Sequence, residues 1–179
     1  MLNPDLIIYD WVISIRIDML NQFFILITNL ASIWFVIPIL ICSVLFLFKH
    51  KKYLFFLFSN VLIGTTLDFI IKIVISRERP PISNSLVVEN SYSFPSGHTI
   101  TTVVLYFSIF IIFNTLYSNV SKQLKYIINT ILIFLIVCIP FSRMYLGVHW
   151  FSDVFFGYII GFIIVFVTKK LYKIKKHIF

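Results

Sequence analysis

Residues 21–48 read NQFFILITNLASIWFVIPILICSVLFLF. Nothing in that run is ionisable. As a helix it is long enough to cross the ~30 Å hydrocarbon core of a bilayer with tilt. Pro38 is the position where a kink is expected, and Lys49-His50-Lys51-Lys52 ends the run abruptly. Four more apolar runs follow, at 53–76, 98–117, 126–141 and 150–168, separated by short polar segments. With 60% hydrophobic and 12% charged residues, the chain lacks the polar surface a soluble domain of 179 residues needs. The expectation is one integral membrane domain over residues 1–179. It is an all-α polytopic transmembrane bundle of about five spanning helices, without internal repeats.

Upstream of the first span, Asn3-Pro4-Asp5 is a helix start: a capping Asn, a Pro in the first turn and an acid near the positive end. Asp5, Asp10 and Asp18 make residues 4–20 too acidic to span, and no basic residue precedes Arg16 to build a signal peptide. The segment is expected to lie as a helix in the interface. Cys42 and Cys138 fall in apolar runs of opposite leaflets, so neither a disulfide nor a metal site is expected from them.

Charge placement sets the orientation. With five spans, the 49–52 turn, the 119–125 loop and the tail (Lys169, Lys170, Lys173, Lys175, Lys176) share one side. That side holds ten of the 15 Lys and Arg residues and none of the seven acids. The positive-inside rule makes it cytoplasmic, with the C-terminus inside. The net charge of +8 is therefore mainly a topology signal. No basic patch with interleaved stacking residues is present, which excludes a nucleic-acid partner. Arg16, Lys72, Arg77, Arg79 and Arg143 fall on the outer side, as do His98, His149 and Asp153. A cation placed centrally in a span costs ~2.5–3.5 kcal/mol on insertion scales. Several clustered near the interface repel one another, and a bound anion would remove that repulsion.

Three stretches hold these groups. In Lys72-x6-Arg79-Pro80, the two cations are about two helical turns apart and share a face if the helix continues. Asp68 sits one turn from Lys72 and can fix its ammonium. Arg77 is open between lipid headgroups and the site. In Pro95-Ser96-Gly97-His98, a helix N-terminus offers free N–H groups, a hydroxyl and close backbone approach to an anion. His98 sits where it could protonate a leaving oxygen. In Ser142-Arg143-x5-His149-x3-Asp153, the spacing of four puts His149 and Asp153 on one helical face, and Arg143 is a planar cation suited to phosphate. A carboxylate so placed holds one imidazole nitrogen and leaves the other as nucleophile or base. Taken singly, each stretch also has a bland reading: snorkelling cations, an ordinary capping turn, a solvated His–Asp pair.

Together these three stretches resemble the three-part signature of the type 2 phosphatidic acid phosphatases. These lipid phosphate phosphatases share it with vanadium haloperoxidases and acid phosphatases. All eleven signature positions are occupied between residues 72 and 153, and the remainder is similar only in topology. Many bacterial members look six-spanned, whereas this chain begins with the interfacial helix. The resemblance implies a cofactor-free, metal-independent phosphatase that works through a phosphohistidine. His149 is the implied nucleophile, Asp153 its partner and His98 the acid–base. Lys72, Arg79, Arg143, Ser96 and Gly97 would hold the phosphoryl oxygens, with Arg77 and Asp68 supporting. The implied partners are a lipid phosphate substrate and membrane lipids. Among bacterial relatives undecaprenyl diphosphate is a frequent substrate and is the one expected; phosphatidylglycerophosphate, phosphatidate and a lipid A phosphate are alternatives. The competing classes are a non-catalytic lipid-phosphate binder and a structural membrane protein. The complete histidine–aspartate set argues against the first and the outer cations against the second. Nothing in the sequence sets an oligomeric state.

Overall fold

Two short helices joined by a sharp bend precede the long helices of the bundle. In the computed structural model, which describes residues 3–117 and 119–174, helix α1 (Pro4–Ser14) is capped as expected, the Asn3 side chain accepting from Asp5 N–H at 3.0 Å. It ends earlier than the sequence reading put it. Ser14 folds its hydroxyl back on Trp11 O, and Ile17 is extended. The Arg16 guanidinium leaves the helix to donate to Tyr145 O (2.9 Å) and Asn84 O (2.6 Å). The β-branched run around it has little helix propensity with which to resist. Helix α2 (Asp18–Thr28) then starts on an acid, and the chain bends by 120° between the two.

The run 21–48 is not one helix. α2 ends at Thr28, a 3₁₀ turn covers Asn29–Ala31, Ser32 is extended, and α3 (Ile33–Leu47) begins afresh. Asn29 donates its amide to Ile25 O at 3.0 Å and accepts Ser32 N–H on its backbone at 2.8 Å. Such local polar alternatives compete with the helix. A straight helix over this run would be ~42 Å long, more than the hydrocarbon core requires. The break leaves α3 an apolar helix of 15 residues, shorter than the long helices that follow.

Among the described residues, four helices are long and apolar enough to cross a membrane: α4 (Lys51–Ile75), α5 (Gly97–Leu116), α6 (Lys122–Tyr145) and α7 (Phe151–Leu171). They pack around α5, whose middle turn, Val103–Phe107, is a π-helix. Small residues set the approach. A Cβ on Gly157 or Gly161 of α7 would come within 2.9 Å of Thr99 or 2.7 Å of Val103 on α5, and one on Gly64 of α4 within 3.2 Å of Ile100 and Val104. Close contact of this kind replaces the hydrophobic force that lipid does not supply between helices. Asn60, Ser108 and Thr168, all buried, hydrogen-bond α4, α5 and α7 together.

The basic segments gather at one end, where Lys52 Nζ donates to Lys173 O at 2.7 Å. Lys175 and Lys176 lie outside the described residues. At the other end α4 stops at Ser76, a left-handed residue (φ 48°) whose N–H closes on Lys72 O. From there the chain crosses the top of the bundle as the 77–96 loop.

Candidate active site

The loop and four helix ends enclose a cavity of about 370 Å³. Lys72 and Asp68 reach it from the last turns of α4, Arg79 from the loop, Gly97 and His98 from the first turn of α5, and His149 from the α6–α7 turn. Its remaining wall includes Glu89, Ser91, Thr101 and the Ala31–Trp34 stretch before and in α3. A larger cavity of about 570 Å³ lies lower down, between α3, α4 and α5. Its apolar lining, Pro38 to Leu47 with Ile109 to Tyr117, offers no acid–base pair, so the chemistry belongs to the polar cavity.

Lys72 pairs with Asp68 at 3.0 Å and also donates to Pro95 O. The Asp68 carboxylate packs on Gly97, where a Cβ would lie 2.7 Å from Oδ2. The helix does not continue from Lys72 to Arg79. The break at Ser76 leaves Arg79 on an extended strand of loop, yet both cations face the same cavity. Arg79 is tethered by Ser91 O (2.7 Å) and Val148 O (2.6 Å), and its Nη1 lies 3.2 Å from His149 Nε2. Nε2 is then the unprotonated nitrogen, and the proton sits on Nδ1. Burial, reinforced by Arg143, Arg79 and Lys72, holds the His149 imidazole well below its ordinary range, and burial likewise lowers Arg79.

His149 and Asp153 do not share a helix. Trp150 is the N-cap of α7 and Asp153 its third residue, taking Trp150 N–H at 2.8 Å in a capping box. The turn, not a helical face, brings Asp153 Oδ2 to 3.5 Å from His149 Nδ1. That is longer than a hydrogen bond. The carboxylate is held instead by Ser93 Oγ, Trp150 N–H and Arg77 Nη1 (2.6 Å).

Two expected anion contacts lie behind the cavity wall. Ser96 is fully buried; its hydroxyl accepts from Thr99 and its N–H donates to Asp153 O. Arg143, 1% exposed, donates to Thr28 Oγ1 at 2.8 Å and to Glu89 Oε1. Arg77 resolves toward the site's support: it pairs with Asp5 and Asp153 and does not line the cavity. Glu89 was missed in the sequence. It bridges Arg143 and Arg79, its Oε2 3.8 Å from Arg79 Nη2. Its one legible signal was that it is the only acid in the 82–94 loop.

This pocket sets Lys72 and Arg79 beside Asp68, Glu89 and two histidines at the end of an apolar helical bundle. It places the chain among membrane proteins that handle lipid-borne anions. The PAP2 superfamily profile matches residues 49–176. Over 161 residues, 88% of this chain and 77% of the relative, the sequence is 31% identical to phosphatidylglycerophosphatase B of Bacillus subtilis (strain 168). The structure matches that of a transmembrane PAP2-type phosphatidylglycerolphosphate phosphatase from Bacillus subtilis with a TM-score of 0.82 and 28% identity, covering 97% of this chain and 87% of the other. It matches LpxE of Aquifex aeolicus with a TM-score of 0.73 and 29% identity, covering 94% and 96%. The chain belongs to the PAP2 superfamily and is a multi-pass membrane lipid phosphatase.

Proposed function

We propose that this phosphatase removes the terminal phosphate of phosphatidylglycerophosphate through a phosphohistidine on His149. The observation that carries the mechanism is the common cavity: His149 Nε2, His98, Lys72 and Arg79 line one space, with Arg143 behind Glu89. Nε2 attacks phosphorus in line with the leaving alkoxide, and the P–O bond to glycerol breaks as the N–P bond forms. His98 gives its proton to the departing oxygen, then takes one from the water that attacks the phosphoenzyme and frees His149 and inorganic phosphate. The proton on Nδ1 stays with the ring and faces Asp153, which offsets the charge of the imidazolium. Lys72, Arg79 and the first N–H groups of α5, joined by Arg143 once Glu89 gives way, stabilise the equatorial oxygens, the task a metal ion performs in other phosphoryl-transfer sites. Metal-independent turnover is part of the proposal.

The choice of substrate moves from the isoprenyl diphosphate expected from sequence to phosphatidylglycerophosphate, because the Bacillus subtilis relative and the similar Bacillus subtilis structure carry that activity in their names. The cavity meets α3 at Ile33 and Trp34, and Trp34 is 84% exposed. A lipid tail can therefore stay in the bilayer along α3 while its headgroup enters. The site is proposed to face the extracytoplasmic side, opposite the basic end. The test is phosphate release by purified protein in EDTA from a panel of phosphatidylglycerophosphate, undecaprenyl diphosphate, phosphatidate and a lipid A phosphate. The highest kcat/KM is expected for phosphatidylglycerophosphate. His149→Ala is expected to abolish release from every member. Preference for another lipid replaces the substrate, and turnover surviving in His149→Ala removes the mechanism.

A further inference from the structure

Helix α1 has an inner face that membrane anchoring does not explain. Leu6, Ile7 and Trp11 point outward and are about half exposed, which suits an interface. Asp5, Tyr9 and Val12 recur at helical spacing on the opposite side and are buried against the bundle. Asp5 Oδ1 accepts Ser152 N–H at 2.8 Å, an otherwise orphan donor in the first turn of α7. Its Oδ2 accepts the Ser152 hydroxyl and Arg77 Nη2, each at 2.7 Å.

The same guanidinium continues into the site. Arg77 Nη1 donates to Ser152 Oγ at 2.7 Å and to Asp153 Oδ1 at 2.6 Å. Its plane lies 5.7 Å from the Trp150 ring, which Tyr9 of α1 contacts in turn at 5.4 Å. One arginine thus joins the acid of the surface helix to the fully buried carboxylate opposite His149. With Oδ1 held by Arg77, and Oδ2 by Ser93 and Trp150, the carboxylate has one orientation, the one that faces Nδ1. Without Arg77, Oδ1 is a buried acceptor with no donor, and the group must turn to find another.

We propose that Asp5 and Arg77 are positioning residues for Asp153, so that α1 is part of the catalytic apparatus as well as a membrane anchor. The proposal rests on the reading of Asp153 as the partner of the nucleophile His149. It separates from simple anchoring on one point. An anchor matters only when the substrate must be reached from a bilayer, whereas a positioning residue matters for any phosphate ester.

The experiment measures kcat and KM in detergent with a water-soluble short-chain substrate, dihexanoyl phosphatidate, and again with long-chain lipid in vesicles. Misplacement of a reacting group by about 1 Å costs ~10²-fold, so Arg77→Ala is expected to lower kcat by about that factor and Asp5→Ala by roughly 10-fold, on both substrates and at unchanged KM. Arg77→Lys restores part of the loss. Asp5→Ala on top of Arg77→Ala adds no further loss, since both act through one carboxylate. Trp11→Ala, on the outer face, leaves turnover of the soluble substrate unchanged. Asp5→Asn keeps the size and the Ser152 contact while removing the charge that holds Arg77; it lowers kcat too and serves if the alanine variant does not fold. Unchanged kcat in folded Asp5 and Arg77 variants overturns the proposal, as does a loss confined to vesicles or a fully additive double variant. Wild-type turnover that persists in His149→Ala overturns the underlying reading instead, so the two failures are distinguishable.

Discussion

Arg143 carries a full positive charge at 1% exposure, and its neutralising partner is a loop carboxylate where a phosphate oxygen would be expected. Glu89 is thus an internal anion in the pocket, paired with Arg143 and Arg79. In the proposed mechanism a substrate phosphate displaces it from Arg143 and Arg79, and inorganic phosphate does the same to inhibit. Glu89→Gln removes that competitor. The expected result is competitive inhibition by inorganic phosphate at least ~10-fold tighter, a factor worth 1.4 kcal/mol, and a larger rise in melting temperature on adding phosphate than in the wild type. An unchanged or weaker inhibition constant would show that Glu89 does not occupy the anion position. His149 gives the pH dependence. Its folded-state pKa lies below the ordinary 6.5, so above that pH neither the folded nor the unfolded chain binds a proton there. As pH falls below about 6.5 the unfolded chain takes up the proton first, and stability is lost until the folded pKa is reached. His149→Phe is expected to lose less stability than wild type over that window, measured by thermal unfolding in detergent. A steeper loss in the variant would contradict the assigned direction.

At the scale of elements, the contact between α5 and α7 sets where the site's backbone lies. Gly157 faces both Thr99 and Ser96 O, the latter 3.2 Å from where its Cβ would be. Gly157→Ala must therefore push the first turn of α5 away from α7, and that turn carries His98. Overpacking of this kind costs ~1–3 kcal/mol, and kcat is expected to fall with the melting temperature. The paired variant Gly157→Ala with Thr99→Ala, which removes the nearest obstructing atoms, is expected to recover part of both. Full activity in Gly157→Ala would mean the α5 turn is not held by this contact. The four long spans were legible because each is a long, predominantly apolar run bounded by polar residues, with Asp68 and Lys72 confined to the far end of one. The 21–48 break was not, because hydrophobicity is blind to it: Asn29 and Ser32 are mild residues whose effect comes from their own backbone hydrogen bonds. Residues of the signature were likewise legible as residue types at fixed spacing. Their supports, Asp5, Ser93 and Glu89, lie far from His149 in sequence, and only the fold brings them to it.

The whole molecule has two chemically opposite ends. At one, Lys52 reaches Lys173 and the described residues of the 49–52, 119–125 and 169–173 segments carry lysines without a single acid. At the other, Asp5, Asp68, Glu89 and Asp153 are interleaved with Arg77, Arg79, Lys72 and Arg143, largely in ion pairs. In the proposed orientation, net positive charge keeps the first end in the cytoplasm. The second end balances these four cations against four acids, so in the proposed orientation its cations do not oppose translocation. The proposed sidedness is measurable. Cys42 and Cys138 are first replaced by Ala, and a single cysteine is then placed at Asn90 in the outer loop or at Ser121 in the 119–125 loop. In intact cells a membrane-impermeant maleimide is expected to label the cysteine at position 90, whereas the one at position 121 should react only after permeabilisation. The opposite pattern would put the phosphatase site in the cytoplasm. The lysine asymmetry would then need a cause other than topology, and the substrate would have to be drawn from the inner leaflet.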